Sequence, residues 1–358
     1  MECQRFLIYL VTHRAEGTCG MTPSDTFRGT TKSLRNKIKS YKEMAQILRT
    51  ELSKRPFEWG KYQSVFNYEI NGVFREIMNF EKECLLNGDE EKVYKLKRLF
   101  TNFIRSEFLH GEYIVWSFQK PYGYAGDFKI IDQIYLNSPK TTGFDRLYDN
   151  YFQMSAISVA VRNRKEDFKQ IIRRVLSESK KSSIRILDLA SGPCRDIWEL
   201  FSDKAIDSTQ AIFDCYDYDE RAHTYAKQLI NGYLGVNLIK ENVVRLALKR
   251  DIENAIPYKY DLIYSCGLFD YLDERISVRL IDNLRKLLSN DGRLAVADVR
   301  DKYSNPSVHF MEWVGDWSLI YREDDVFRLC FKEAGFREED LEIGYEQQGI
   351  MQYVVASK

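Results

Sequence analysis

The sequence predicts an α/β protein in which a mainly parallel sheet ends in an antiparallel hairpin and follows an all-helical N-terminal region. From residue 182 onward, short apolar strands alternate with helical segments, as in a parallel sheet with right-handed crossovers. Between residues 33 and 119, apolar and charged residues interleave at helical spacing, and glycine is sparse. A chain of 358 residues is long enough for both parts to bury a core.

Seven strands are predicted after residue 182, each a short apolar run bounded by turn residues. The first five are expected to be parallel and lie at 184–190, 211–218, 236–243, 261–266 and 293–299. The last two, at 341–347 and 351–356, are separated by a short turn at Gly349 and predict a β-hairpin. A terminal antiparallel hairpin is untypical of nucleotide-dependent dehydrogenases.

Helical periodicity also extends over 130–179, and the turn-rich segment 120–127 interrupts the two helical regions. We predict three parts: an N-terminal helical domain over 1–119, a lid loop with connecting helices over 120–180, and a ligand-binding domain over 181–358. Asp127 is expected to cap the helix that follows it. The apolar run at 6–11 is shorter than a secretory or membrane-spanning segment, and it predicts a docking helix turn or strand.

Composition limits the function classes. The 53 basic and 53 acidic residues cancel without long blocks of one sign, which disfavours nucleic-acid and anionic-membrane surfaces. The seven cysteines are scattered without C-x-x-C spacing, so neither a disulfide framework nor a metal site is expected. We therefore expect a cytoplasmic protein without a membrane span. The 23 tyrosines and 21 phenylalanines suit an apolar ligand cavity.

The most specific local signal is the segment 184–196, where an apolar strand runs into a tight turn and then a helix start, the usual place of a nucleotide-like ligand. The turn carries only Gly192 of the dinucleotide fingerprint, and Pro193 has no N–H for a pyrophosphate. S-Adenosylmethionine has no phosphate and needs close backbone approach and nearby carboxylates, which Asp188 and Asp196 offer. The alternative is a generic turn with a structural glycine.

Polar residues at the ends of four strands are candidate cofactor ligands, because ligands of such sheets lie across the carboxyl ends of the strands. The first end carries Asp188 and Gly192. Asp217 follows about 25 residues after Gly192 and is placed to accept the ribose hydroxyls. Asn242 offers an amide oxygen to the adenine amino group, and Ser265 is expected to face the sulfonium and its amino-acid tail.

Each candidate has a structural alternative. Asp217 or Asp219 caps the helix that begins near residue 220, and Asn242 is a turn residue. Ser265 and Phe269 are packing residues in the same interpretation. A structural explanation must then be invoked separately at every strand end, whereas one bound cofactor explains all four.

Over residues 184–358 the sequence resembles class I S-adenosylmethionine-dependent methyltransferases, whose Rossmann-like sheet has seven strands and the same terminal hairpin. Four further segments are similar to the bacterial family that makes 3-hydroxypalmitic acid methyl ester, an extracellular quorum-sensing signal. These segments are Lys120–Asp127, Ala160–Arg164, Gly267–Leu272 and Met311–Arg322. The chain before about residue 100 matches that family only in helical character.

This resemblance implies methyl transfer from S-adenosylmethionine to a fatty-acid carboxylate, giving a methyl ester. The sequence shows no obvious general base, and a carboxylate that is already ionised at neutral pH needs none. Arg322 is placed to pair with the carboxylate, and His309 is a candidate contact or base. The residues expected to line the acyl channel are Phe269, Trp313, Trp317 and Tyr321. In the alternative, residues 305–322 form an amphipathic helix packed on the sheet. Arg322 then forms a salt bridge, and His309 is an ordinary loop residue.

Tyr124 in the predicted lid loop and Arg162 on the approach to the first strand are expected to contact the cofactor or substrate carboxylate. Two other functions stay open: methylation of a small-molecule hydroxyl or nitrogen, and a binding or regulatory protein that kept the fold without turnover. The N-terminal helices either cover the α/β domain or form the arm of a homodimer.

Overall fold

A computed structural model describes residues 30–358 of the chain, so the predicted docking segment at 6–11 lies outside the described residues. The chain divides into two compact units. The helical unit holds the described part of 1–119 together with 139–153 and 306–317, and the α/β unit holds 120–138, 154–305 and 318–358. This grouping differs from the predicted division, because two segments beyond residue 119 pack with the N-terminal helices.

The described helices are numbered here in chain order. They are α1 (Thr30–Lys54), α2 (Gln63–Leu86), α3 (Glu90–Phe103), α4 (Glu112–Gln119), α5 (Phe128–Leu136), α6 (Gly143–Met154), α7 (Ala156–Glu178), α8 (Arg195–Ser202), α9 (Glu220–Leu229), α10 (Val243–Leu248), α11 (Ile252–Ala255), α12 (Glu274–Leu287) and α13 (Asp324–Glu333). The segment 305–322, for which an amphipathic helix was the alternative prediction, contains a single π-helical turn, Phe310–Val314.

The helical unit is built around aromatic rings that the helical periodicity of α2 and α3 places on one face. Phe74 and Phe100 are both almost fully buried, with ring centroids 6.3 Å apart. Phe310 lies 5.5 Å from Phe74, and Trp313 lies 5.5 Å from Phe100. These two rings explain why the segment 306–317 belongs to this unit, although it follows the fifth strand in sequence.

The α/β unit contains one seven-stranded sheet. Its strands are β1 (Ile184–Leu189), β2 (Ala211–Asp217), β3 (Val236–Lys240), β4 (Tyr260–Ser265), β5 (Leu288–Val299), β6 (Leu341–Tyr345) and β7 (Met351–Ser357). Their order across the sheet is β3-β2-β1-β4-β5-β7-β6. Strands β1 to β5 are parallel, whereas β7 pairs antiparallel with both β5 and β6. The predicted fold class is confirmed, including the terminal hairpin and the helical N-terminal region.

The strand order reverses at β1, which lies between β2 and β4, so the crevice beyond its carboxyl end is the switch point where such sheets bind ligands. Helix α12 shows how the sequence builds the layer over the sheet. Asp273 caps it by accepting the N–H of Ile276, and its apolar stripe, which includes Leu280, Ile281 and Leu284, is buried. Each such side chain contributes roughly 1.5–3 kcal/mol by burial.

No helix within residues 30–358 has both the length and the apolar character that crossing a membrane requires.

Candidate functional site

The turn between β1 and α8 has an unusual backbone. Ala190, Gly192 and Cys194 have φ values of 59°, 53° and 51°. Non-glycine residues in the left-handed region are uncommon, and each costs about 1–2 kcal/mol. The turn therefore stores strain at the switch point of the sheet, as ligand-binding turns often do.

Asp217, at the end of β2, fixes this turn. Its Oδ2 accepts the N–H of Gly192 at 2.8 Å, and its Oδ1 accepts the N–H of Asp219 at 2.9 Å. Burial raises the pKa of Asp217, and these two backbone donors oppose that rise. Asp219, and not Asp217, caps α9, because it accepts the N–H of Arg221. The helix-cap alternative therefore applies to Asp219 alone.

Asp188 is only 3% exposed, and its Oδ2 has no hydrogen-bond partner anywhere in the described chain. The hydroxyl of Ser191 in the adjoining turn is likewise buried without a partner among residues 30–358. Burial raises the pKa of Asp188 well above its ordinary value, and the neighbouring Asp196 carboxyl adds to the rise. The hydroxyl of Tyr264 donates to Asp196 Oδ2 at 2.8 Å. The turn thus offers unused polar atoms, and a bound cation would favour the ionised carboxylate.

Two of the predicted cofactor ligands have structural partners. Ser265 is fully buried, and its hydroxyl donates to the carbonyl of Leu189 at 2.8 Å, which ties the ends of β4 and β1 together. Asn242 is the N-cap of α10, and its amide oxygen accepts the N–H of Arg245 at 3.1 Å. Both side chains lie at the predicted strand ends, but their oxygens already serve the fold.

We expect Asn242→Ala to lower the free energy of unfolding by about 1 kcal/mol, because a helix N-cap is lost. Asn242→Asp keeps the acceptor and should stay close to wild type in urea unfolding. If Asn242 acts only as the cap, neither variant changes the affinity for S-adenosylhomocysteine by more than about twofold, a change worth less than 1 kcal/mol. A loss of affinity well beyond twofold in Asn242→Ala that Asn242→Asp recovers would instead support a contact of this oxygen with the adenine amino group.

The loop at 120–127 lies against the β2–α9 connection. The hydroxyl of Tyr124 donates to Asp219 Oδ2 at 3.1 Å, and Arg221 donates to the carbonyl of Tyr122 at 2.9 Å. The guanidinium of Arg221 also lies 4.4 Å from the ring centroid of Tyr122. The predicted lid loop thus reaches the strand end that carries Asp217, although Tyr124 meets its neighbour Asp219.

Helix α5, which follows the loop, is held firmly in the α/β unit. Asp127 caps it by accepting the N–H groups of Lys129 and Ile130, as predicted. Farther along α5, buried Asp132 accepts from the Arg195 guanidinium through both oxygens. Since Arg195 opens α8, this pair anchors α5 to the helix that begins after the Gly192 turn.

Of the two nearby arginines on α7, Arg164 is more deeply buried than Arg162, the predicted ligand contact. Arg162 is half-buried, and its NH1 lies 3.4 Å from the carbonyl of Ile134. Arg164, two residues later and therefore on the other side of the helix, is buried beside Gly267 just beyond the end of β4. Both arginines precede the first strand in sequence, and only the rotation of α7 about its axis distinguishes them.

Arg322 forms the salt bridge that was the alternative prediction. Its side chain is fully buried, and its NH1 lies 3.1 Å from Asp298 Oδ2 and 3.0 Å from the carbonyl of Phe269. It also donates to the carbonyl of Leu272. Phe269 itself is fully buried in the core of the α/β unit, and Tyr321 is half-buried. Arg322 and Phe269 are therefore structural residues here, and not the predicted carboxylate ligand and channel wall.

His309, Trp313 and Trp317 lie in the helical unit. The imidazole of His309 is fully buried, with Nε2 2.7 Å from Glu81 Oε2. The carbonyl of Trp313 accepts from Arg105 Nε at 2.7 Å, and its ring is 1% exposed. Trp317 is 8% exposed. The three residues contribute to the interior of that unit, in place of the loop histidine and channel lining that the sequence predicted.

The cysteines are less scattered in space than in sequence. Ligand-type atoms of Asp188, Cys194 and Cys215 all lie within 4.8 Å of one another, and the three residues are buried. A hydrogen bond with Cys194, together with burial, raises the pKa of the Cys215 thiol well above its ordinary value. Metal binding needs thiolates, so the raised pKa of Cys215 disfavours a metal ion at these three residues.

Comparison with protein-family profiles finds no match, and comparison with curated protein sequences finds none either. Among solved structures, a possible exported protein from Bordetella parapertussis is similar over 95% of this chain and 99% of its own, with a TM-score of 0.51 and 16% identity. At this identity the likeness establishes a shared fold.

Two solved methyltransferases are similar at lower TM-scores. Magnesium protoporphyrin IX methyltransferase from Synechocystis PCC 6803, with bound S-adenosylhomocysteine, has a TM-score of 0.45 and 12% identity over 68% of this chain and 98% of its own. An N-methyltransferase from Bradyrhizobium japonicum WM9, in complex with the same molecule, has a TM-score of 0.37 and 15% identity over 54% of this chain and 87% of its own.

Proposed function

We propose that the chain is an S-adenosylmethionine-dependent O-methyltransferase that esterifies the carboxylate of an apolar acid, a 3-hydroxy fatty acid in the first instance. The observation that carries the cofactor assignment is the turn at the switch point of the sheet. There a strained backbone, the carboxylate of Asp217 and the unpartnered Oδ2 of Asp188 meet at neighbouring strand ends.

The hydrogen bonds of this turn disfavour a phosphate ligand. The N–H of Ser191 is bonded to the carbonyl of Tyr216 and that of Gly192 to Asp217, while Pro193 has none. The N–H of Cys194 is bonded to the carbonyl of Ser191. Since a phosphate needs several unused N–H groups, this turn cannot cradle one. The nearby carboxyl groups instead suit a ligand with hydroxyls and a positive charge.

S-Adenosylmethionine fits these donors and acceptors. The remaining lone pairs of Asp217 would accept its ribose hydroxyls, and Asp188 Oδ2 would accept from its ammonium group. An ammonium beside Asp188 would lower the raised pKa of that carboxyl and leave a charged, hydrogen-bonded pair. When bound, the cofactor supplies a methyl group on a sulfonium that is already activated for attack.

The acceptor class is supported by the sequence resemblance and by the chemistry. A carboxylate oxygen attacks the methyl carbon in line, the carbon–sulfur bond breaks, and its electron pair stays on the sulfur. No proton has to be removed, so the protein needs to orient the acceptor and exclude water. The remaining parts of the proposal have separate grounds. An extracellular-signal ester as product rests on the resemblance, a cytoplasmic enzyme on the scattered cysteines and apolar runs shorter than a membrane span, and a homodimer on the N-terminal helices as its arm.

Calorimetric titration with S-adenosylmethionine is the first test, and we expect saturable binding at a single site. The transfer of labelled methyl to a panel of carboxylic acids, read by mass spectrometry, then tests the acceptor. With a carboxylate acceptor we expect a rate that is flat above about pH 6, because the acceptor is already ionised there.

A limb of the pH profile near neutrality would point to a hydroxyl or nitrogen acceptor that requires a base. Cofactor binding without transfer to any acid, hydroxyl or amine would support a binding protein with this fold. Folded protein that fails to bind millimolar S-adenosylmethionine would contradict the whole proposal.

A further inference from the structure

Arg164 is a buried arginine with an incomplete set of partners. Its side chain is 5% exposed, and its Nε has no hydrogen-bond partner in the described part of the chain. Its nearest carboxylate is Asp270, whose Oδ2 lies 3.7 Å from NH1, beyond hydrogen-bonding distance. A buried guanidinium with an unpaired donor is costly unless a further anion completes it.

Asp270 is itself shared with other groups. Its Oδ1 accepts the N–H of Val299 at 3.0 Å, and a hydrogen bond links it to Asp298, the partner of Arg322. Burial raises the pKa of both carboxyl groups, which favours one shared proton. Arg322 also has the Glu274 carboxylate 3.4 Å from its Nε, whereas the carboxylate beside Arg164 is that of Asp270, 3.7 Å away. The shared proton therefore leaves Arg164 with the weaker compensation of its charge.

The other two buried arginines of this unit each have a carboxylate within hydrogen-bonding distance. Arg195 donates to both oxygens of Asp132, one of them at 2.9 Å. Arg322 reaches Asp298 at 3.1 Å and two backbone carbonyls besides. Its Nε, like that of Arg164, has no hydrogen-bond partner among residues 30–358, but Glu274 Oε1 lies 3.4 Å from it. Arg164 has a hydrogen bond with the Tyr135 hydroxyl but no carboxylate within hydrogen-bonding distance. Among these three buried arginines, it is the one that lacks a close carboxylate.

The position of Arg164 points to a ligand and not to a fault in packing. Its NH2 would lie 3.0 Å from a Cβ at residue 267, so the absence of a side chain at Gly267 makes room for the guanidinium. Gly267 and Cys266 are partly exposed, unlike the buried strand before them. They follow Ser265, whose hydroxyl is bonded to the last residue of β1. Arg164 therefore lies behind an accessible strand end next to the Gly192 turn.

We propose that Arg164 is a binding residue that receives the carboxylate of a ligand at the carboxyl end of β4, an inference that rests on the proposed function. The carboxylate belongs either to the amino-acid tail of the methyl donor or to the acceptor acid. A planar guanidinium suits both, because it binds carboxylates through two parallel hydrogen bonds.

The test compares two ligands that differ only in this group. S-Adenosylhomocysteine and its decarboxylated analogue, S-adenosyl-3-thiopropylamine, are titrated into wild type, Arg164→Gln and Arg164→Lys. If the donor tail is bound, Arg164→Gln lowers the affinity for S-adenosylhomocysteine at least about tenfold and that for the analogue less than about twofold. Arg164→Lys recovers part of the loss.

The second arm uses dodecanoate as the acceptor probe, with dodecan-1-ol as its uncharged match, in protein saturated with S-adenosylhomocysteine. If Arg164 binds the acceptor, Arg164→Gln leaves the affinity for S-adenosylhomocysteine unchanged. It then lowers the affinity for dodecanoate at least about tenfold and does not change the affinity for dodecan-1-ol. Either pattern supports the proposal. Equal losses for charged and uncharged ligands, or unchanged affinity in both arms, would overturn it.

Two further variants keep the test decisive if Arg164→Gln folds poorly. Gly267→Ala retains the charge but displaces the guanidinium, so it should show the same carboxylate-specific loss in weaker form. Arg174→Gln removes a partly exposed arginine from the same helix and should change neither arm. Wild-type protein that does not bind S-adenosylhomocysteine would contradict the proposed function, and dodecanoate and dodecan-1-ol titrated without the nucleoside would then decide on Arg164 alone.

Discussion

Asp217→Ala is expected to lower the affinity for S-adenosylhomocysteine about a hundredfold while lowering the free energy of unfolding by only about 1–2 kcal/mol. The variant removes the acceptor that holds the N–H of Gly192 and the acceptors proposed for the ribose hydroxyls. The strained turn then has no carboxylate to fix it, so binding must also restore its conformation. Calorimetric titration and urea unfolding of the same preparation measure the two quantities.

Asp273→Ala is a matched control, because it makes the same chemical change at the N-cap of α12. It should lower the free energy of unfolding by about 1 kcal/mol and leave the affinity unchanged. Should Asp217→Ala resemble this control in both measurements, Asp217 is a structural carboxylate and the cofactor site lies elsewhere.

Arg322→Met is expected to lower the free energy of unfolding by about 3–5 kcal/mol, because it leaves Asp298 buried without its partner. It also deprives the carbonyls of Phe269 and Leu272 of their donor. Since we place Arg322 in the core, the affinity of the folded fraction for S-adenosylhomocysteine should stay within about twofold. Thermal and urea unfolding measure the loss.

The double variant Arg322→Met/Asp298→Leu separates a broken pair from a general packing defect. It removes both charges and should recover a large part of the lost stability. Arg337→Met, which removes a largely exposed arginine paired with Asp340, should cost less than about 1 kcal/mol. An Arg322→Met protein with wild-type stability but weakened binding of acids would return Arg322 to the predicted role of carboxylate ligand.

Local sequence patterns determined much of the fold. Apolar runs bounded by turn residues located all seven strands. The predicted and observed strand boundaries differ by at most five residues, as at 293–299 against Leu288–Val299. The cap at Asp127 and the terminal hairpin were also predicted, because both depend on residues close in sequence. The Gly192 turn belongs to this group, since strand, turn and helix follow one another directly.

The roles of charged side chains were decided only by the tertiary structure. Glu81 pairs with His309 from 228 positions away in sequence, and Asp298 reaches Arg322 across the chain that separates β5 from α13. Hydrophobic periodicity reports which face of an element is buried, but not which buried charge lies opposite another. The choice between Arg162 and Arg164 likewise depends on how α7 is rotated against the sheet. The sequence by itself thus determined the sheet and the turn that carries the candidate cofactor site. Packing decided which charges pair with one another in the core, because a charged pair is selected by distance in space and not along the chain.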